Sequence, residues 1–276
     1  MEEYRKQMDK KFLEQLKDKI QIYLKNKGFK NADFIRTNMD EVSGLYVENS
    51  IEKGEARMQS RVARPNRPAE LMIDKVFAEL DENDNPIGID KNVKKLIMTQ
   101  LTHELIHSGA RFGGHTGIRS TDQNRGLNEG MTQMFTEKIW GYTVSPNSDN
   151  TYKDYKKIAK ILDATFGENI SIDAYFNHSN ALENACNGLS QNNRFYSDIN
   201  KYLTSTYYID KSNPKVDTTV PKADKDLYYD TIMQPIREKM LDLVYEKVCA
   251  EIVIPKLKTM SKDEQRKIFA RHTRVS

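Results

Sequence analysis

His103, Glu104, Leu105, Ile106 and His107 are the residues of this chain whose types and spacing could do chemistry. In a helix, histidines at i and i+4 stand about one turn apart, so their imidazoles project from one face and can share one metal ion. Two such nitrogens are half of a tetrahedral zinc site. Glu104 falls about a third of a turn from them, where a carboxylate can take a proton from a metal-bound water without entering the coordination sphere. The chemistry would be metal-assisted hydrolysis. The plainer alternative is a structural helix whose two histidines merely line up.

The helix that must position these residues is predicted over 90–109. Val93, Leu96, Ile97, Leu101, Glu104 and His107 or Ser108 follow a period of three to four, Asp90 is placed to cap the start, and Gly109 to end it. A hydrolase of this kind needs a third protein ligand, with the fourth position left for water. The chain has five histidines, so candidates are few. His115 lies in a glycine-rich stretch, but the extended pattern that uses a third histidine is absent, because Ala110 and Gly113 stand where its glycine and histidine would be. His115 therefore reads as a loop residue. Further on, Leu127, Met131, Met134, Phe135 and Ile139 form the apolar stripe of a second helix. Glu129 sits near its start, where a carboxylate also complements the helix dipole.

The pair His103-Glu104-Leu105-Ile106-His107 and Asn128-Glu129 resembles the gluzincin branch of zinc metallopeptidases, the thermolysin-like arrangement in which one helix supplies two histidines and a following helix a glutamate. The resemblance implies that His103, His107 and Glu129 bind Zn2+, that Glu104 is the general base and later the proton donor, and that the substrate is a peptide or protein. It further implies an α+β, predominantly helical, zincin-like fold. A small N-terminal sheet and the zinc-binding helices would occupy residues 1–145, and a helical C-terminal lobe 146–276. The edge of that sheet would bind extended substrate by strand addition. A catalytically inactive zincin-fold binding or structural module is the alternative function.

The stretch that carries the resemblance is short, and it departs from the family in one place. Where thermolysin-like enzymes have an acidic residue one turn after the glutamate ligand, this chain has Gln133. An amide accepts a hydrogen bond from a ligating imidazole but adds no negative charge to it. Gly130, next to the proposed ligand, costs about 1 kcal/mol of helix stability relative to alanine, and its missing side chain would let this helix approach the metal helix. A zinc peptidase also needs a donor for the oxyanion. The resemblance places a tyrosine or histidine after the glutamate ligand, and His178, Tyr142, Tyr152, Tyr175 and later tyrosines are all available; His178 is the first to test.

Composition removes several other functions. With 38% hydrophobic and 30% charged residues the chain is polar, and no run of about 18 apolar residues is present to span a membrane. Its start lacks the apolar segment of a secretory signal, and Cys186 and Cys249 are too few for a disulfide framework. The expectation is a cytoplasmic protein, with secretion open if a leader has been removed. A net charge of +3, from 43 basic against 40 acidic residues, makes no electrostatic case for nucleic acid.

The remaining elements follow from periodicity. Tyr4, Met8, Phe12, Leu16, Ile20 and Tyr23 predict a basic amphipathic helix over 3–27 that packs on its own domain, with Gly28 at its C-terminus. Leu45-Tyr46-Val47 and Met58 to Val62 read as short strands, whereas Leu71 to Leu80 suits strand or helix. Arg61, Arg64 and Arg67 read as parts of a solvated loop. Asp81-Glu82-Asn83-Asp84-Asn85 begins like a calcium loop but has Pro86 in place of the glycine such a loop needs, so it reads as a polar turn. Helices are predicted near 150–166, 171–188 and 194–206, a loop over 211–225, and a final helical region broken at Pro235 and Pro255.

Overall fold

The computed structural model describes residues 4–49, 59–61, 69–112, 115–118, 125–142, 152–211 and 229–266. They are mostly helical, with a small sheet. The chain divides into two compact units, Met1–Thr116 with Phe135–Ser148 and Gly117–Met134 with Asp149–Ser276.

The first unit is built on a sheet ordered β1 (Arg5–Gln7), β2 (Val42–Glu48), β4 (Ala69–Asp74), β3 (Gln59–Arg61). β2 and β4 run parallel, with Leu45 opposite Leu71 and Val47 opposite Ile73, while the flanking strands are antiparallel. β4 is central and nearly continuous in burial, as a strand covered on both faces should be. After Asp74 the chain makes a 3-10 turn at Lys75–Phe77 and enters β5 (Ala78–Leu80), which pairs with β6 (Pro86–Ile89). The stretch that suited strand or helix is therefore two strands joined by a helical turn, and the turn exposes Val76. In the polar turn of this hairpin, Asp81 accepts backbone hydrogen bonds from Asn83 and Asn85, so its carboxylate is committed to the chain.

α1 spans Lys10–Asn26, shorter than predicted, because residues 5–7 pair with β2 and Asp9 caps the helix by accepting from the Lys11 N–H. Its buried stripe is Leu13, Leu16, Lys17, Ile20 and Leu24, one residue out of step with the Phe12 and Tyr23 of the sequence pattern. The helix ends in a left-handed turn at Gly28 (φ 72°): the Gly28 N–H reaches the Lys25 carbonyl and the Phe29 N–H reaches that of Leu24. α2 (Ala32–Asp40) is a helix that periodicity missed, since nine residues show little more than Ile35 and Met39 on one face. α3 (Lys94–Gly109) packs on α1 and α2.

In the second unit, the first turns of α4 (Arg125–Trp140) join α5 (Lys153–Phe166), α6 (Glu168–Phe176), α7 (Ala181–Ser190) and α8 (Phe195–Lys211). The helix predicted over 171–188 is two, broken where Asp173 accepts hydrogen bonds from the Asn177 and Ser179 side chains and His178 takes φ 52°. From Tyr229 to Lys258 the chain stays helical through both prolines. π-turns at Tyr229–Met233 and Cys249–Val253 lead into α9 (Gln234–Val248) and α10 (Ile254–Lys258), each with proline as its second residue. A proline lacks the N–H and crowds the carbonyl four residues earlier, and the wider turn accommodates both. No described helix is long and apolar enough to cross a membrane. Both cysteines are free, Cys186 buried and Cys249 exposed.

Candidate metal centre

α3 is buried on most of its circumference, by Ile97, Leu101, Leu105 and Ile106 together with Thr99, Thr102, His103, Ser108 and Gly109. After the exposed Lys94 and Lys95, the half-buried positions are Leu96, Met98, Gln100, Glu104 and His107, and all but Met98 recur at helical spacing. The sequence pattern had placed Glu104 and His107 in the apolar stripe, and they line the more open side instead. The helix starts at Lys94 behind Val93, because Asp90 spends its carboxylate on the Asn92 N–H in the preceding turn. Its C-terminal end is fixed from α2. Asn38 donates to the carbonyls of Gly109 at 2.9 Å and Arg111 at 2.8 Å, and a Cβ on Gly109 would stand 2.8 Å from Ile35.

One turn of this helix brings the two imidazoles together. Their Nε2 atoms are 3.2 Å apart and the rings meet edge to face. A tetrahedral ion with bonds of about 2.0–2.1 Å to nitrogen holds two such atoms about 3.3–3.4 Å apart, so the pair has the right bite. The same spacing also suits an N–H···N hydrogen bond between the rings. A ligand oxygen of Glu129 completes a group whose atoms all lie within 4.8 Å of one another and that could hold a metal ion. Two imidazoles and a carboxylate are a donor set that zinc takes in catalytic sites. His103 is buried, while His107 and Glu129 are half-buried, which leaves one side of the group approachable.

Glu129 sits in the second turn of α4, past the first-turn positions where a carboxylate complements the dipole, and that first turn holds no acidic residue. Leu127, Met131, Met134, Phe135 and Ile139 are buried as the stripe predicted, while Arg125, Glu129 and Gln133 line a more accessible side. Glycines seat this helix. A Cβ on Gly130 would stand 2.3 Å from the Tyr155 carbonyl oxygen, and one on Gly126 2.5 Å from that of Leu203. Gly130 thus makes room for the α5 backbone, not for the metal helix. A Cβ on Gly117 would meet the Asn128 side chain, whose oxygen accepts from the Ile118 N–H.

The candidate oxyanion donors separate. Tyr175 is fully buried, with its hydroxyl on Thr132 of α4. The ring of Tyr142 lies against Lys95 at 3.9 Å, and Lys95 precedes His103 by about 12 Å of helix rise. His178 occupies the turn between α6 and α7. His115 pairs its backbone with Phe112 in the hairpin of β7 (Arg111–Phe112) and β8 (His115–Thr116), and Arg61 lies in β3, while Arg64 and Arg67 fall outside the described residues. Sequence spacing held no signal for Tyr207. Burial and the charge of Glu129 push its hydroxyl up to about 12, against a hydrogen bond from Arg125.

Comparison of the chain with protein families, with curated proteins and with solved structures gives no match. The family resemblance therefore stands on the histidine pair and Asn128-Glu129.

Proposed function

We propose that the chain is a zinc-dependent metallopeptidase of zincin-like fold, acting on peptide or protein substrates. The observation that carries this reading is the convergence of two imidazole nitrogens 3.2 Å apart with the Glu129 carboxylate. His103, His107 and Glu129 would hold the ion through two neutral nitrogens and one charged oxygen, leaving a net positive site. Zinc in such a site polarises a carbonyl and makes water a better nucleophile at neutral pH. Glu104 is half-buried on the same open stripe of α3 as His107, so its carboxylate is reachable by solvent. It takes the proton of the attacking water and returns it to the leaving amine, one side chain acting as base and then as acid.

Glu104→Gln keeps the size of the side chain and removes the base. The variant is expected to bind zinc as the native chain does and to lose at least about a hundredfold in turnover of a mixed peptide library. Native-like turnover in that variant overturns the mechanism. Zinc bound at one equivalent, with no peptide cleaved by the native chain, assigns the fold to a binding module instead.

A further inference from the structure

We propose that the outward face of the C-terminal helices is a self-association surface, on which a second copy of this chain lies antiparallel across Leu243.

Between Tyr229 and Lys258 the helical run has two apolar faces. Leu241, Val244, Val248 and Ile252 form the buried one, seated on α8 and α7. Ile232, Ile236, Leu243 and Ile254 fall on the opposite side and are 45, 47, 36 and 47% exposed, with Ala250 exposed between the last two. These five residues stand 4, 7, 7 and 4 positions apart, steps of about one or two turns, so they form a single stripe about 33 Å long. An exposed leucine by itself needs no explanation, but a continuous apolar stripe facing water marks an interaction surface.

The spacing is the same in both directions from Leu243, as a closed pair of identical chains requires, because across a two-fold axis residue i meets j and j meets i. Antiparallel pairing centred there sets Ile232 against Ile254, Ile236 against Ala250, and Leu243 against its own copy. The small Ala250 leaves room for the larger Ile236. An unrelated partner helix would have no use for that symmetry. The charges agree with it. Lys239 and Glu246 lie two turns apart on one flank of the stripe, both exposed, and no ion pair among the described residues uses either. The two-fold keeps like flanks together and brings each Lys239 within about 1.5 Å of level with Glu246 of the other copy, closing two ion pairs. On the other flank Lys247 already meets Glu251 at 3.9 Å, and its aliphatic stem comes level with Met240 of the other copy.

Sedimentation equilibrium of the full chain over a series of concentrations tests the pairing. The native chain is expected to be a reversible dimer, as suits an interface at the small end of the specific range. Leu243→Glu sets like charges against each other at the two-fold axis, and is expected to leave monomer at every concentration with unchanged circular dichroism. Lys239→Glu is expected to raise the dimer dissociation constant about tenfold, and adding Glu246→Lys to restore it, an exchange that the antiparallel register predicts. A native chain that is monomeric throughout, a dimer untouched by Leu243→Glu, or a double variant no better than Lys239→Glu overturns the pairing. A monomer that co-sediments with phosphatidylcholine vesicles, and ceases to do so in Leu243→Glu, assigns the stripe to a lipid surface and overturns it as well. Should Leu243→Glu fail to fold, the charge exchange at 239 and 246 decides alone.

Discussion

α3 carries two members of the candidate metal group and α4 the third, yet the two helices are seated by different means. α3 meets α2 through side chains: Ile35 and Met39 close around Gly109, and Asn38 reaches past them to the free carbonyls at the helix end. α4 meets α5 and α8 through backbone, at Gly130 against Tyr155 and Gly126 against Leu203. Side chains can shift by tenths of an ångström when crowded, whereas a helix backbone moves only with the whole helix. The seat of Glu129 is thus the stiffer one. The two histidines need no such seat, because one turn of a single helix already sets their spacing.

That contrast breaks or stands on matched glycine substitutions. Gly130→Ala is expected to destabilise the protein by about 3 kcal/mol or more in denaturant unfolding, since the new methyl meets a backbone carbonyl that cannot rotate away. Zinc affinity should fall with it. Gly109→Ala meets side-chain ends instead and gains helix propensity, so about 1–2 kcal/mol is expected, with zinc affinity little changed. Equal losses at the two sites would erase the distinction. Asn38→Ala removes two hydrogen bonds from the end of α3 and is expected to lower stability by about 1–2 kcal/mol.

The smallest effect sharpens the comparison through pH. For Asp40, partial burial pushes upward, but the hydrogen bonds from Arg36 and Lys17 outweigh it and hold the carboxyl below its ordinary 3.8. Its contribution is present above that value and is lost as pH falls through the lower folded value. Asp210 goes the other way: burial raises its carboxyl despite the hydrogen bonds from Tyr155 and Arg237. The unfolded chain then releases this proton first as pH rises, so Asp210 weighs against folding above 3.8 and ceases to do so at lower pH. Stability differences between the native chain and Asp40→Asn should shrink below about pH 4, and those for Asp210→Asn should shift in favour of the native chain as pH falls through the raised folded value toward about 4. Asp40 is half exposed, so solvent screening keeps its part below about 1 kcal/mol.

Elements with a long, strongly periodic signal were legible in the chain: α3, the buried stripe of α4, and α5 all lie close to where spacing put them. What periodicity missed was short or set by competing local bonds. α2 has nine residues, and β1 takes residues that also fit the pattern of α1. The break at His178 follows from Asp173 and its partners in the turn. Of the candidate site, the spacing of His103 and His107 was readable because both belong to one helix, whereas the approach of Glu129 was not, since the resemblance alone joined it to them.

The order of residues by itself determined the histidine pair, since neighbours on one helix face are fixed by 3.6 residues per turn whatever surrounds them. Tertiary structure decided that Glu129 comes within reach of the imidazoles and that Glu104 lies on the open side of α3. How close helices come is likewise a tertiary matter: Gly126 and Gly130 let the backbone of α4 touch that of α8 and α5.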